Sequence, residues 1–347
     1  MSGPVDVEST TFADHTTMRI GGSVDAWIVA RTEEACVEAV VECDDIGAPV
    51  LVVGGGSNIV CSDEHFAATV VQVACTGVRL SERDGFVHAV VAAGEDWDSL
   101  VQRTLQFGCG ALAPLSGIPG LVGATPIQNV GAYGAEVSEL IDSVRVWDRR
   151  DRVVRDLAAP DCGFDYRSSV FKSQPDRYMV LEVAFVLPYT GEVLVGYRQL
   201  AQALGVAVGE WAEGIDVRHA VLELRRKKGM VLDESDHDTW SVGSFFVNPI
   251  LTPEDAAHLP AECPTFESGA GIKASAAWLI ESCGVQPGYA LPDSHARVSS
   301  KHTLALCNEG GATSEEVLAL ARDIRERVRE RYGIELTPEP RLVGLAL

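Results

Sequence analysis

The chain has 347 residues, 46% of them hydrophobic and 22% charged, enough apolar material for two or three domains with substantial cores. Its formal net charge of −22 argues against a general nucleic-acid or anionic-membrane binder. No run reaches the ~18 uninterrupted apolar residues of a membrane span, and residues 1–8 are acidic and lack the apolar core of a secretory signal. The expected compartment is the cytoplasm.

Residues 33–47 set Ala35, Val37, Ala39, Val40 and Ile46 among acidic side chains, the pattern of a helix, and Gly47 ends it. Residues 50–53 form a β-branched run that leads straight into Gly54, Gly55, Gly56, Ser57 and Asn58. Backbone amides and a hydroxyl in such a loop can bind a pyrophosphate without a basic side chain. The loop is not a Rossmann fingerprint, because the G-x-G-x-x-G spacing is absent and no long helical pattern follows. It is not a P-loop either, because no Gly-Lys-Ser/Thr follows.

Short strands are expected over 69–73 and 87–92, and a helix over 96–107 stopped by Gly108. Residues 116–136 then carry Gly117, Gly120, Gly123, Gly131 and Gly134, with Pro119 and Pro126 stiffening the intervening backbone. Seen alone, this stretch reads as a glycine-rich surface loop. Paired with the 54–58 loop roughly 60 residues earlier, each after a strand-like run, it reads as a cofactor cradle.

Strand patterns continue over 144–147, 153–154 and 179–186. Residues 219–228 are helix-prone, and Arg225, Arg226, Lys227 and Lys228 can form a solvated face. Residues 232–240 are acidic and turn-rich. Thr313 and Glu316 have capping-box spacing and open a helix that runs to Tyr332, ended by Gly333; a strand over 341–343 follows. The order suggests a small α/β unit followed by a larger α+β unit, with no internal repeat.

The nine cysteines are odd in number and include no C-x-x-C pair, so free thiols are expected rather than a zinc site or disulfide framework. His15, His65, His88, His219, His237 and His295 show no i, i+4 pairing, and no metal is expected. Trp278 reads as helix core packing.

Seven blocks, at residues 17–22, 54–58, 117–136, 164–172, 243–249, 273–280 and 339–344, follow one another in an order that resembles the UDP-N-acetylenolpyruvoylglucosamine reductase family, flavoenzymes of peptidoglycan precursor synthesis. The resemblance implies an α+β fold: a two-part FAD-binding region of the vanillyl-alcohol-oxidase type with an inserted α+β substrate-binding domain. The boundaries it implies are 1–67 and 68–215 for the two flavin subdomains, the second completed by 333–347, and 216–332 for the substrate domain. It further implies non-covalent FAD, NADPH as co-substrate and UDP-N-acetylglucosamine enolpyruvate as substrate. A monomer is expected. The cofactor contacts it implies are Gly54, Gly55, Gly56, Ser57, Asn58, Gly117, Ile118, Pro119, Gly120, Gly123, Ala124, Gly131, Ala132 and Tyr133.

Reducing an enol ether conjugated to a carboxylate takes a hydride donor, stabilisation of developing negative charge and a proton donor. Side chains supply no hydride, so a redox cofactor is needed. Arg167 can meet a carboxylate or enolate with two parallel hydrogen bonds; its plain alternative is a structural pair with Asp165. Glu339, between two prolines, reads as a solvated turn residue, and the resemblance makes it a catalytic glutamate. Ser244 reads as a turn-buttressing serine, and the resemblance makes it the proton donor. Tyr166, Tyr197, Lys228, Asn248 and His302 fall where the family binds substrate, and Tyr197 marks the subtype whose tyrosine loop closes over it. A surface histidine is the alternative for His302. The family's Tyr-Arg-Asp-Ser loop has Ser168 in place of the acid, so no acid role is carried to that position. A flavin oxidase on the same scaffold and a non-catalytic flavin- or sugar-nucleotide-binding protein are the competing readings. The anionic ligands require local positive charge, and three of the five lysines, Lys172, Lys228 and Lys273, lie in or beside the blocks.

Overall fold

The structure, a computed structural model, describes residues 5–8, 10–269 and 271–347. The chain divides into two compact units, one of Met1–Thr10, Val24–Gly55 and Ala67–Lys227, the other of Thr11–Ser23, Gly56–Phe66 and Lys228–Leu347.

In the first unit, strands Val5–Glu8, Val24–Ala30, Phe66–Val73 and Val50–Val53 lie in that order in one sheet. Val50–Val53 and Phe66–Val73 run parallel, with Val50 opposite Thr69. The helix Glu33–Ile46 starts where the Thr32 hydroxyl accepts from the Ala35 amide (3.1 Å) and stops at Gly47, whose φ of 67° closes a left-handed cap. It buries Ala35, Cys36, Ala39, Val40 and Cys43.

A second, antiparallel sheet orders Val153–Ala158, Ile141–Asp148, Tyr178–Pro188, Phe86–Ala92 and Val78–Arg83. Alternation places Val87, Ala89 and Val91 on one face and Val183, Phe185 and Leu187 beside them, all within 1% of full burial. Both sheets and the helices Glu33–Ile46 and Trp97–Gln106 share one core. The Asp96 carboxylate caps the second helix through the Ser99 amide (2.8 Å).

The helix Gly214–Lys227 begins five residues before the charged stretch at 219, because Val217 and Val221 extend its buried stripe into a small cluster with Ala113, Val193 and Leu200. Its first residue must be small: a Cβ on Gly214 would lie 2.8 Å from the Gly110 Cα.

The second unit holds two three-stranded sheets. One orders Ser241–Ser244, Ala305–Asn308 and Ala296–Val298; the other orders Ile250–Leu251, Gly271–Ala274 and Thr265–Ser268. The helix Ser314–Tyr332 opens on a complete capping box, with Thr313 N to Glu316 Oε2 at 2.7 Å and Glu316 N to Thr313 Oγ1 at 3.2 Å, and Gly333 ends it at φ 69°. Its buried stripe of Val317, Leu320, Ile324 and Val328 packs with Leu279, Ile280, Phe245 and Phe246. The C-terminal strand Arg341–Val343 pairs in parallel with Ile59–Cys61. All nine cysteines are free. Among the described residues no helix is long and apolar enough to cross a membrane, and no cluster of metal-ligating side chains occurs.

Candidate active site

Two glycine loops lie against each other in the first unit. A Cβ on Gly55 would sit 3.3 Å from the Gly120 Cα, and one on Gly54 would touch the Leu121 side chain at 3.7 Å. Gly123, in the turn Val122–Ala124, would place a Cβ 2.5 Å from the Ala93 Cβ. A side chain at Gly55 would therefore crowd the facing loop, and one at Gly123 would collide with Ala93, whereas Gly54 is in ordinary contact distance. The helix Trp97–Gln106 clasps residues 115–122: Trp97 donates its amide to Gly120 O (3.1 Å) and its indole to Leu115 O (2.9 Å), while Val122 N donates to Glu95 O (2.8 Å). Ile118 packs against the core, and Pro119 follows it into the turn at Gly120 (φ 118°). Gly56, Ser57 and Asn58 belong to the second unit. There Gly56 has φ 62°, and a Cβ would lie 2.0 Å from the His15 carbonyl. The Asn58 carbonyl accepts from the Arg341 amide (3.0 Å).

Farther along the second loop, Gly131–Ala132 pairs with Ala135–Glu136 around Tyr133 and Gly134. Both central residues have positive φ, 52° and 86°, as a type I′ hairpin turn requires. Glycine adopts this freely and tyrosine does not, so the Tyr133 backbone is strained. Its ring meets Tyr197 edge-on with centroids 5.7 Å apart.

Arg167 occupies a second strained position. Ser168 N donates to Asp165 O (3.0 Å), and Arg167 takes φ 52° at the third place of this turn, normally a glycine or asparagine site. Such a conformation costs about 1–3 kcal/mol. Several contacts hold it. Arg167 Nη2 donates to Gly131 O (2.6 Å) and Nη1 to Asn129 O (3.3 Å), and Lys172 Nζ donates to Arg167 O (3.1 Å). The guanidinium is also 5.4 Å from the centre of the Tyr166 ring. Asp165 Oδ1 accepts from the Tyr166 amide (2.7 Å).

The residues that set this turn escape a motif reading. Asn129 is 1% exposed at φ 45° and donates to Glu136 Oε2 (2.8 Å) and Asp165 O (3.2 Å), while its Oδ1 accepts from Ser138 N (3.1 Å). It ties the Tyr133 hairpin to the Arg167 turn. Ser169 donates to Ile127 O (2.5 Å) and caps Phe171 and Lys172. Their only sequence signal is the polar character of residues 129 and 169 in an otherwise apolar loop and at a short helix start.

In the second unit, Ser244 closes the strand Ser241–Ser244, after Gly243 at φ 76°. Its hydroxyl makes no hydrogen bond among the described residues. Phe245 and Phe246 behind it are at most 1% exposed. The C-terminal segment lies alongside: Glu339 N donates to Phe245 O (2.8 Å), and Val247 N donates to Thr337 O (3.1 Å). The structure thus sets the backbone of Glu339 against Phe245, the residue after Ser244, in this unit; Arg167 belongs to the first.

Lys228 and His302 are also in the second unit. Burial and the neighbouring Lys228 charge push the His302 imidazole down to about 4, so the ring is neutral at ordinary pH, half-buried, and able to donate from one nitrogen. Asn248 Oδ1 accepts from the Ala276 amide (2.9 Å), the first residue of the helix Ala276–Ser282. Trp278 on that helix packs against the core and Tyr332.

Residues 24–156 match the FAD-binding domain, and residues 234–343 match the C-terminal domain of UDP-N-acetylenolpyruvoylglucosamine reductase. Fold and glycine loops together define an α+β FAD-binding oxidoreductase. The chain is 47% identical to UDP-N-acetylenolpyruvoylglucosamine reductase of Saccharopolyspora erythraea, covering 97% of this chain and 96% of the relative. It is 46% identical to the enzyme of that name from Streptomyces coelicolor, over 99% and 91%. The chain belongs to the UDP-N-acetylenolpyruvoylglucosamine reductase family. A crystal structure of that reductase from Thermus caldophilus shares its fold, with a TM-score of 0.67 at 23% identity over 98% of this chain and 100% of the other.

Proposed function

We propose that this chain reduces UDP-N-acetylglucosamine enolpyruvate to UDP-N-acetylmuramate with NADPH, through non-covalent FAD, as a cytoplasmic monomer in peptidoglycan precursor synthesis. Family membership supports the reaction class. The pairing of Glu339 with Phe245 (2.8 Å), which puts the glutamate beside Ser244, is the observation that carries the residue assignment.

The residues present fit FAD. Gly54 and Gly55 meet the 117–124 segment where side chains are smallest, and neither 54–58 nor 117–124 contains a histidine or cysteine to tether the ring. Gly54, Gly55, Gly56, Ser57, Asn58 and the 117–124 and 131–133 segments would hold it. When bound, the flavin supplies the hydride that NADPH delivers to it.

The protein's part is charge and proton management. Arg167, already anchored on the loop carbonyls of Asn129 and Gly131, presents a permanent cation to the carboxylate that gains charge. Ser244 donates its hydroxyl proton to the carbon next to that carboxylate. Glu339 assists proton delivery or holds the intermediate. Tyr166, Tyr197, Lys228, Asn248 and His302 hold the substrate: Tyr197, the Lys228 ammonium and Asn248 bind its diphosphate, and the neutral His302 ring serves as a further donor. We assign the flavin region to 1–67 and 68–215, completed by 333–347, and the substrate domain to 216–332.

Anaerobic mixing tests the reading. NADPH should bleach the yellow protein, and UDP-N-acetylglucosamine enolpyruvate should then restore the colour. Bleaching with recovery only on admitting dioxygen would identify an oxidase instead.

A further inference from the structure

We propose that Asp98, Arg218 and Arg225 are positioning residues for the flavin: they grip both polar groups of Gly117 and so preset the 116–120 loop before cofactor binds. The proposal rests on the FAD reading above.

Gly117 has φ 70°, and its amide donates to Asp98 Oδ1 at 2.6 Å. Asp98 lies in the first turn of the helix Trp97–Gln106, and Arg218 Nη1 and Nη2 clamp its two oxygens at 2.6 and 2.7 Å. This is a bidentate pair with Arg218 only 6% exposed. Two turns beyond Arg218 on the helix Gly214–Lys227, Arg225 donates its Nε to Gly117 O (3.2 Å). The Gly117 amide is therefore committed to Asp98, and phosphate-facing amides must come from its neighbours.

The charges add up in a useful way. Burial pushes Asp98 up, but Arg218 and the Gly117 amide outweigh it and hold the carboxyl below its ordinary range. Burial brings Arg225 down to about 10, which still leaves it protonated at neutral pH. One carboxylate facing two guanidiniums leaves a net positive charge beside the loop, in a chain whose formal charge is −22. Arg225 is thus not the solvated end of a basic run. The cluster supplies both the loop geometry and the local field that an anionic dinucleotide needs.

The test compares FAD dissociation constants and apoprotein melting for wild type, Arg218→Met, Arg218→Lys and Asp98→Asn. Wild type must bind FAD; if it does not, the flavin reading fails and the positioning question falls with it. Given wild-type binding, Arg218→Met should weaken FAD about tenfold or more while apoprotein melting moves little. Arg218→Lys, which keeps the charge and loses the fork, should recover part of the affinity. Unchanged FAD affinity in Arg218→Met would overturn the proposal. So would a drop in apoprotein melting with affinity intact, which is the mark of a merely structural pair. Should Arg218→Met not fold, Asp98→Asn, which preserves shape and removes the charge, decides by the same two measurements.

Discussion

The Glu339 amide donates to the Phe245 carbonyl at 2.8 Å, which fastens a C-terminal glutamate beside the residue that follows Ser244. The contact joins positions 94 residues apart in sequence, and the neighbouring bond from Val247 N to Thr337 O (3.1 Å) makes it a short antiparallel pairing instead of a chance approach. A glutamate between two prolines would otherwise be a solvated turn. Here the backbone fixes its place relative to Ser244, whichever side chain stands at 339.

Ser244→Ala should keep FAD and rapid flavin reduction by NADPH, yet lose turnover of the enolpyruvyl substrate by about 10²–10⁴-fold. The hydroxyl spends no hydrogen bond on the described residues, so removing it should leave melting nearly unchanged. Ser244→Cys, with a more acidic donor, should recover part of the rate. Stopped-flow traces of the two half-reactions separate the cases. Alanine turnover within a few-fold of wild type would move the proton-donor role to another group, with Glu339 the first to test.

Arg167→Lys should slow the oxidative half-reaction by about 10²–10³-fold and spare reduction by NADPH. Lysine keeps the charge but cannot reach Gly131 O and Asn129 O with two nitrogens at once. Wild-type behaviour in the lysine variant would show that charge alone suffices.

Local chemistry explains which parts of the architecture were legible in the sequence. Gly47, Gly108 and Gly333 and the Thr313–Glu316 spacing specify helix ends by rules that span at most four residues, and the structure follows each. The start at Gly214 was not legible, because its glycine is chosen by close approach to Gly110, about a hundred residues away. The same holds for the site. Motifs mark Arg167, Ser244 and Glu339, but nothing near Arg167 announces its positive φ. Asn129 and the Asp98–Arg218 pair act across separations of 36 and 120 residues, where no periodicity reaches.

His302 gives a pH signature. Its folded-state value of about 4 lies below the ordinary 6.5, so between these pH values the unfolded chain binds a proton that the folded chain refuses. Stability therefore rises with pH through this window and the contribution is complete above it. Melting temperature against pH should show this slope in wild type, and His302→Gln, which keeps a donor and does not titrate, should flatten it. An unaltered slope in the glutamine variant would assign the acid sensitivity to other groups.

Two glycine substitutions with similar backbone angles should differ sharply. Gly47 has φ 67° and open space around it, so Gly47→Ala bears only the left-handed penalty of about 1–2 kcal/mol. Gly56 has φ 62°, but its Cβ would lie 2.0 Å from the His15 carbonyl and 3.0 Å from the Thr16 Cα, both backbone atoms that cannot swing aside. Gly56→Ala must therefore shift the 54–58 loop against residues 15–17, where Thr17 N now donates to Gly56 O (3.2 Å). The expected result is a protein that loses far more stability than Gly47→Ala and purifies with little or no FAD. Melting of both variants and the ratio of flavin to protein absorbance check this directly. A yellow Gly56→Ala protein with near-wild-type melting would mean the loop has another way to pass His15, and that its glycine is not required for the cofactor.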